Sequence, residues 1–155
     1  MRSLAIWTLL LTVAAIAATA APSSRDESID ELKVRAKNAL PQDRPGLFLQ
    51  VAERQLRQAG MLYKDGDVEL AHAAVDEIVA YSEQARDAAI QSKKHLKNVE
   101  IGVRKIAERL RDIKRTISVE DQPSVDSAVQ RLEEMRTLLL KQMFSKEKDK
   151  DKDKK

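Results

Sequence analysis

Apolar residues recur along this chain at alternating steps of three and four, the rhythm of one face of an α-helix. Leu49, Ala52, Leu56, Ala59 and Tyr63 make one such face, widened by Phe48, Val51 and Leu62. From Val68, the positions Ala71, Val75, Ile78, Ser82, Ala85, Ala89, Ser92, Leu96, Val99, Val103, Ile106, Leu110, Ile113 and Ile117 keep heptad steps without a slip. Val125, Ala128, Leu132, Met135 and Leu139 repeat the spacing, and Ile29, Leu32, Ala36 and Leu40 form a thinner stripe.

Punctuation sets the boundaries. Acids at 26, 27, 30 and 31 followed by bases at 33, 35 and 37 suit the dipole of a first helix, which Pro41 stops. Pro45 opens a second helix, Asp65-Gly66 turns the chain, and Asp67 is placed to cap a third. The pattern predicts helices over about 26–39, 46–64, 67–118 and 124–144. An uninterrupted third helix is about 50 residues and on the order of 75 Å long, and the alternative is a break near the small residues 85–92. The expected fold is all-α: antiparallel helical hairpins sharing one long central helix in a coiled-coil-like bundle, a single domain over 21–144.

Composition agrees. Apolar residues are 43% of the 155, but aromatic residues only 3%, so the core must be aliphatic; four Gly and four Pro are few for a fold of many tight turns. With no Cys there is neither disulfide nor thiol chemistry. Residues 1–20 read as a signal peptide, with Arg2, an apolar run Leu4 to Ala17 and the small residues Ala18-Thr19-Ala20 before a cut. The alternative is an anchor over residues 4–21 in an inner membrane. Membrane contact is expected only if that segment stays uncleaved, and the cleaved protein would be periplasmic or secreted. Beyond 144, residues 145–155 carry six Lys and four acids with no apolar residue, and are expected to be a disordered charged tail.

Charge is informative by region. Residues 65–87 hold seven acids against Arg86, and residues 93–115 hold nine bases against three acids. The second helix carries four bases against Glu53, and residues 120–136 five acids against two bases. Each short helix is therefore opposite in sign to the half of the long helix that it would meet through its own turn. Small residues Ser82, Ala85, Ala89 and Ser92 at the centre offer a crossing point for an antiparallel homodimer.

Candidate chemistry is sparse. Glu69 and His72 have the Glu-x-x-His spacing of di-iron bundles, but His95 has no matching acid and both residues flank the apolar stripe. Asp149, Asp151 and Asp153 alternate like the start of a calcium loop without its Gly or closing Glu. No Gly-rich phosphate loop or nucleophile constellation is present. The expectation is no catalytic residue, no metal and no cofactor. The basic stretch Lys93, Lys94, Lys97, Arg104, Lys105, Arg109, Arg111, with Lys114 and Arg115 beyond, could hold an anionic polymer or lipid headgroup, or a protein partner. It lacks aromatic residues to stack on bases, so no nucleic acid is expected.

Leu56, Ala59, Gly60 and Tyr63, followed by Gly66-Asp67-Val68-Glu69-Leu70-Ala71, resemble the helix pair of a tetratricopeptide repeat over residues 47–80. The spacing from Tyr63 to Gly66 is one residue short of the family pattern, and no second copy is evident. The rest of the chain resembles exported bacterial helical proteins, which implies no activity. The function expected is a non-enzymatic interaction or scaffold protein of the bacterial envelope; the alternative is a periplasmic binder of anionic envelope polymer or lipid through the basic 93–115 face.

Overall fold

The computed structural model describes the backbone of residues 27–152 and the side chains of residues 27–145. The segment read as a signal peptide lies outside the described residues. Among the described residues there are five α-helices and no strand: α1 Ile29–Asn38, α2 Arg44–Asp65, α3 Val68–Ser92, α4 Leu96–Lys114 and α5 Gln122–Lys152. None is long and apolar enough to cross a membrane.

Local chemistry explains the ends. Ser28 caps α1 reciprocally: Glu31 N donates to Ser28 Oγ at 3.1 Å, and Ser28 N donates to Glu31 Oε2 at 2.8 Å. Those bonds hold the Glu31 carboxyl below its usual pKa. Gly66, at φ 84°, closes α2, and Asp67 N donates to Leu62 O at 2.9 Å. Asp67 occupies the N-cap of α3, but its side chain makes no cap hydrogen bond, contrary to the expected role.

The long central helix is two helices. Residues 93–95 reverse the chain just beyond the small-residue stretch, with Lys93 at φ 55° and His95 at φ 61°. Ser92 Oγ donates to Ala88 O at 2.7 Å, ending α3 through its own hydroxyl. A four-residue step from Ser92 to Leu96 keeps the heptad count, so two stripes facing one core from either side of a turn read as a single rod. The expected disordered tail also differs, because α5 continues to Lys152. Lys and Glu favour helix, and no Gly or Pro follows Phe144 to stop it.

The expected hairpins form. α2 and α3 run antiparallel, with the Phe48 and Tyr81 rings 6.2 Å apart and the Tyr63 and His72 rings 6.0 Å apart. α4 and α5 run antiparallel, joined by Arg111–Glu133 at 2.7 Å, Lys114–Asp126 at 2.6 Å and Arg136–Glu100 at 2.7 Å. The hairpins stack in the same sense. α2 lies parallel to α4, as Leu49 meets Gly102 and Gly60 meets Ile113. α3 lies parallel to α5, as Glu83 pairs with Arg131 and His72 approaches Asp121 at 3.9 Å. α1 folds back along α2 on the opposite side: Arg44 Nε donates to Ala39 O at 3.0 Å, and Arg54 reaches the Glu27 and Ser28 carbonyls.

One aliphatic core runs through all five helices. Leu32, Ile78, Ile106, Leu110, Leu132, Met135 and Leu139 are its largest fully enclosed side chains. Each such residue contributes about 1.5–3 kcal/mol by leaving water.

The α2–α4 seam is tight at one point. A Cβ on Gly102 would overlap both Leu49 methyls and sit 3.0 Å from its Cγ, whereas one on Gly46 would meet nothing within 4 Å. Gly102→Ala should therefore destabilise the fold by about 1–2 kcal/mol, overpacking outweighing the helix propensity gained. Gly46→Ala should stabilise it by up to about 1 kcal/mol. Urea denaturation followed by circular dichroism measures both, and a Gly102→Ala variant more stable than its parent would contradict the seam.

Candidate functional site: an open groove between α2 and α4

The stacking of α2 beside α4 leaves a groove of about 690 Å³ along their shared outer face. Leu56, Gly60 and Met61 of α2 face Ile106 and Ile113 of α4 across its floor. The spacing explains this: residues 56 and 60, and 106 and 113, each return to one side of their helix. Gly60 keeps the floor low, since a Cβ there would touch only Ile113 Cδ1, at 3.6 Å.

Charge lines the rim. Arg57 and Lys64 stand on α2, and Lys105 and Arg109 on α4, against Glu53 and Asp112. Asp112 is already engaged by Arg115 at 3.4 Å. Arg57, Lys64, Lys105 and Arg109 are all exposed, and none has a hydrogen-bond or ion-pair partner among the described residues. Arg57 and Arg109 stand apart from the other arginines between residues 27 and 145, every one of which is hydrogen-bonded or ion-paired. A guanidinium carries five donors in a fixed fork. Two unused forks thus flank one apolar channel.

The basic residues expected to share one face divide into three groups. Lys93 and Lys94 lie in the α3–α4 turn with Lys97 just after it. Lys105 and Arg109 line the groove. Arg104 pairs with Glu108 at 3.8 Å, and Arg111 turns the other way to Glu133. The helix itself separates them, because neighbouring residues differ by about 100° around the axis. The small-residue stripe is also reassigned: Ser82, Ala85 and Ala89 are fully enclosed by the chain's own helices, and Ser92 is half-buried. The first three have no exposed surface.

Charge complementarity between the hairpin helices is realised in one hairpin only. α4 and α5 exchange ion pairs as expected, but the α2 cations do not reach the α3 acids. Instead Glu77 of α3 receives Lys33 of α1, at 2.7 Å, and Gln55 of α2, while Glu83 receives Arg131 of α5. That leaves Arg57 and Lys64 for the groove. Sequence reasoning assigned them to α3, so it missed them as site residues, and no signal in the sequence marks the α2–α4 contact that brings them to the groove.

At the far end of the bundle, Tyr63, His72 and Asp121 cluster. Burial, with Asp121 and Asp76 nearby, pushes the Tyr63 hydroxyl up to about 12, which makes it a worse nucleophile. Glu69 is exposed, and among the described residues no group of three or more His, Asp or Glu side chains is placed to hold a metal ion.

Comparison with protein-family models, with curated proteins and with solved structures finds no match to the chain.

Three outcomes follow for stability. Removing a groove guanidinium should cost nothing in folding: Arg57→Leu and Arg109→Leu should each stay within about 0.5 kcal/mol of the parent in urea denaturation. Arg136→Leu should lower the melting temperature, since it strands the buried Glu100 carboxylate. The Arg111 hydrogen bond holds the Glu133 carboxyl below its ordinary 4.5, so its stabilisation is present above that value and is lost as pH falls through the lower folded-state value. Glu133→Gln should flatten the acid limb of a melting-temperature profile below about pH 4.5; an unchanged limb would remove Glu133 from the account.

Proposed function

We propose that this chain is a non-enzymatic interaction protein of the bacterial envelope that holds a protein partner in the α2–α4 groove. The observation that carries the reading is the pair of arginines, without a partner among the described residues, that flank an apolar floor. Folding uses neither guanidinium, and a groove lined this way has apolar area for affinity and fixed donors for orientation. The signal-like residues 1–20 support export. The tetratricopeptide-like sequence of 47–80 is in keeping with a binding role, since repeats of that kind present binding surfaces. The alternative, an anionic polymer or lipid along one basic face, is supported less well, because the basic residues point three ways.

A photo-cross-linking residue tests this in cells. Benzoylphenylalanine in place of Met61, in the groove, should yield a discrete protein adduct, and the same substitution at Gln130, exposed on α5, should not. The same adducts at both positions, or none at Met61, would overturn the reading. Amino-terminal sequencing of the protein recovered from cells should begin at Ala21; a start at Met1 would remove the cleaved signal peptide.

A further inference from the structure

We infer that the occupant of the groove is an acidic amphipathic helix of the partner, laid along α2 and α4 with carboxylates on both flanks of an apolar stripe. The inference rests on the function proposed above and narrows it. Three features select this chemistry. Beside Glu53 and Asp112, the rim presents four cations without a partner among the described residues, so a bound segment gains most by bringing carboxylates to both sides. The floor is apolar along its length, from Leu56 to Gly60 on one wall and from Ile106 to Ile113 on the other. A polyanion with no apolar face would leave it wet, whereas a stripe of leucines would cover it.

The third feature is the backbone. Both walls are α-helices whose amide and carbonyl groups are already bonded within the helix, so an extended peptide would find no ladder to join and would bury unpaired polar groups. A helix satisfies its own backbone and asks the groove only for side-chain contacts. The groove spans residues 53 to 64 of α2 and runs from Lys105 of α4 to Thr116, just past the end of that helix. At the helical rise that is about 17 Å, or about three turns of a docked helix. The low floor at Gly60 lets such a helix approach closely.

The test uses the purified full chain and a fluorescein-labelled helical peptide of about fourteen residues, with leucines at helical spacing and glutamates on either flank. Fluorescence anisotropy should rise to saturation. Affinity should fall at least about tenfold in an Arg57→Glu/Arg109→Glu variant, a loss of about 1.4 kcal/mol or more. Gly60→Leu, which fills the channel, should abolish binding; circular dichroism confirms that each variant is folded. A peptide of the same composition with its stripe scrambled, and one with lysine in place of glutamate, should bind at least about tenfold more weakly. Equal binding of either control, or no binding of the acidic helix, overturns the inference. Vesicles of phosphatidylglycerol that bind the parent and not the double-glutamate variant would give the groove to a lipid surface and overturn it. A concentration-dependent dimer lost in that variant would give it to a second copy, with the same effect. If the peptide fails while the Met61 cross-link holds, the groove keeps its protein partner and only the acidic helix falls.

Discussion

Neither α2–α3 nor α4–α5 can cover its own apolar face, because two packed amphipathic helices still leave a continuous stripe open to water. The rest of the structure depends on closing those two stripes against each other. The stacking sets the distance between α2 and α4, and Gly102 against Leu49 leaves no room there for a Cβ. It also decides which charges are used. α4 meets α5 along a line of ion pairs, while α2 meets α4 along a line where four cations face outward without an ion-pair partner among the described residues. The groove is therefore a by-product of how the core closes.

The α3–α4 turn makes the stacking possible. Two non-glycine residues take the left-handed region there, a conformation costing roughly 1–2 kcal/mol each. The fold offsets that cost through the core it creates: Val75, Ile78, Val99 and Val103 lie on opposite sides of the turn, and all are fully buried. A straight helix would have left half of this stripe bare.

Much of this was legible in the sequence, and the misses have physical causes. Aliphatic periodicity located the helices, because burial on one face is what that periodicity records. The turn at Gly66 follows from a residue type with a strong local preference, whereas the cap at Ser28 was missed, because the acids at 26 and 27 set the expected start of the first helix too early. The reversal at Lys93–His95 was not legible: no Gly or Pro marks it, and the heptad count passes through it unbroken. The site was half legible. Lys105 and Arg109 stood out as charge, but sequence order could not show that Arg57 and Lys64 would join them. That depends on α1 and α5 supplying the partners of Glu77 and Glu83.

The distribution of rings has a practical consequence. Tyr63 and Tyr81 both lie between α2 and α3, and Trp7 belongs to the segment read as a signal peptide. Tyrosine emission thus reports on the first hairpin alone, while α4 and α5 contribute chiefly to the far-ultraviolet signal. A melt in which the two spectroscopies separate would reveal the hairpins parting company, and one in which they coincide would mark the stack as a single cooperative unit.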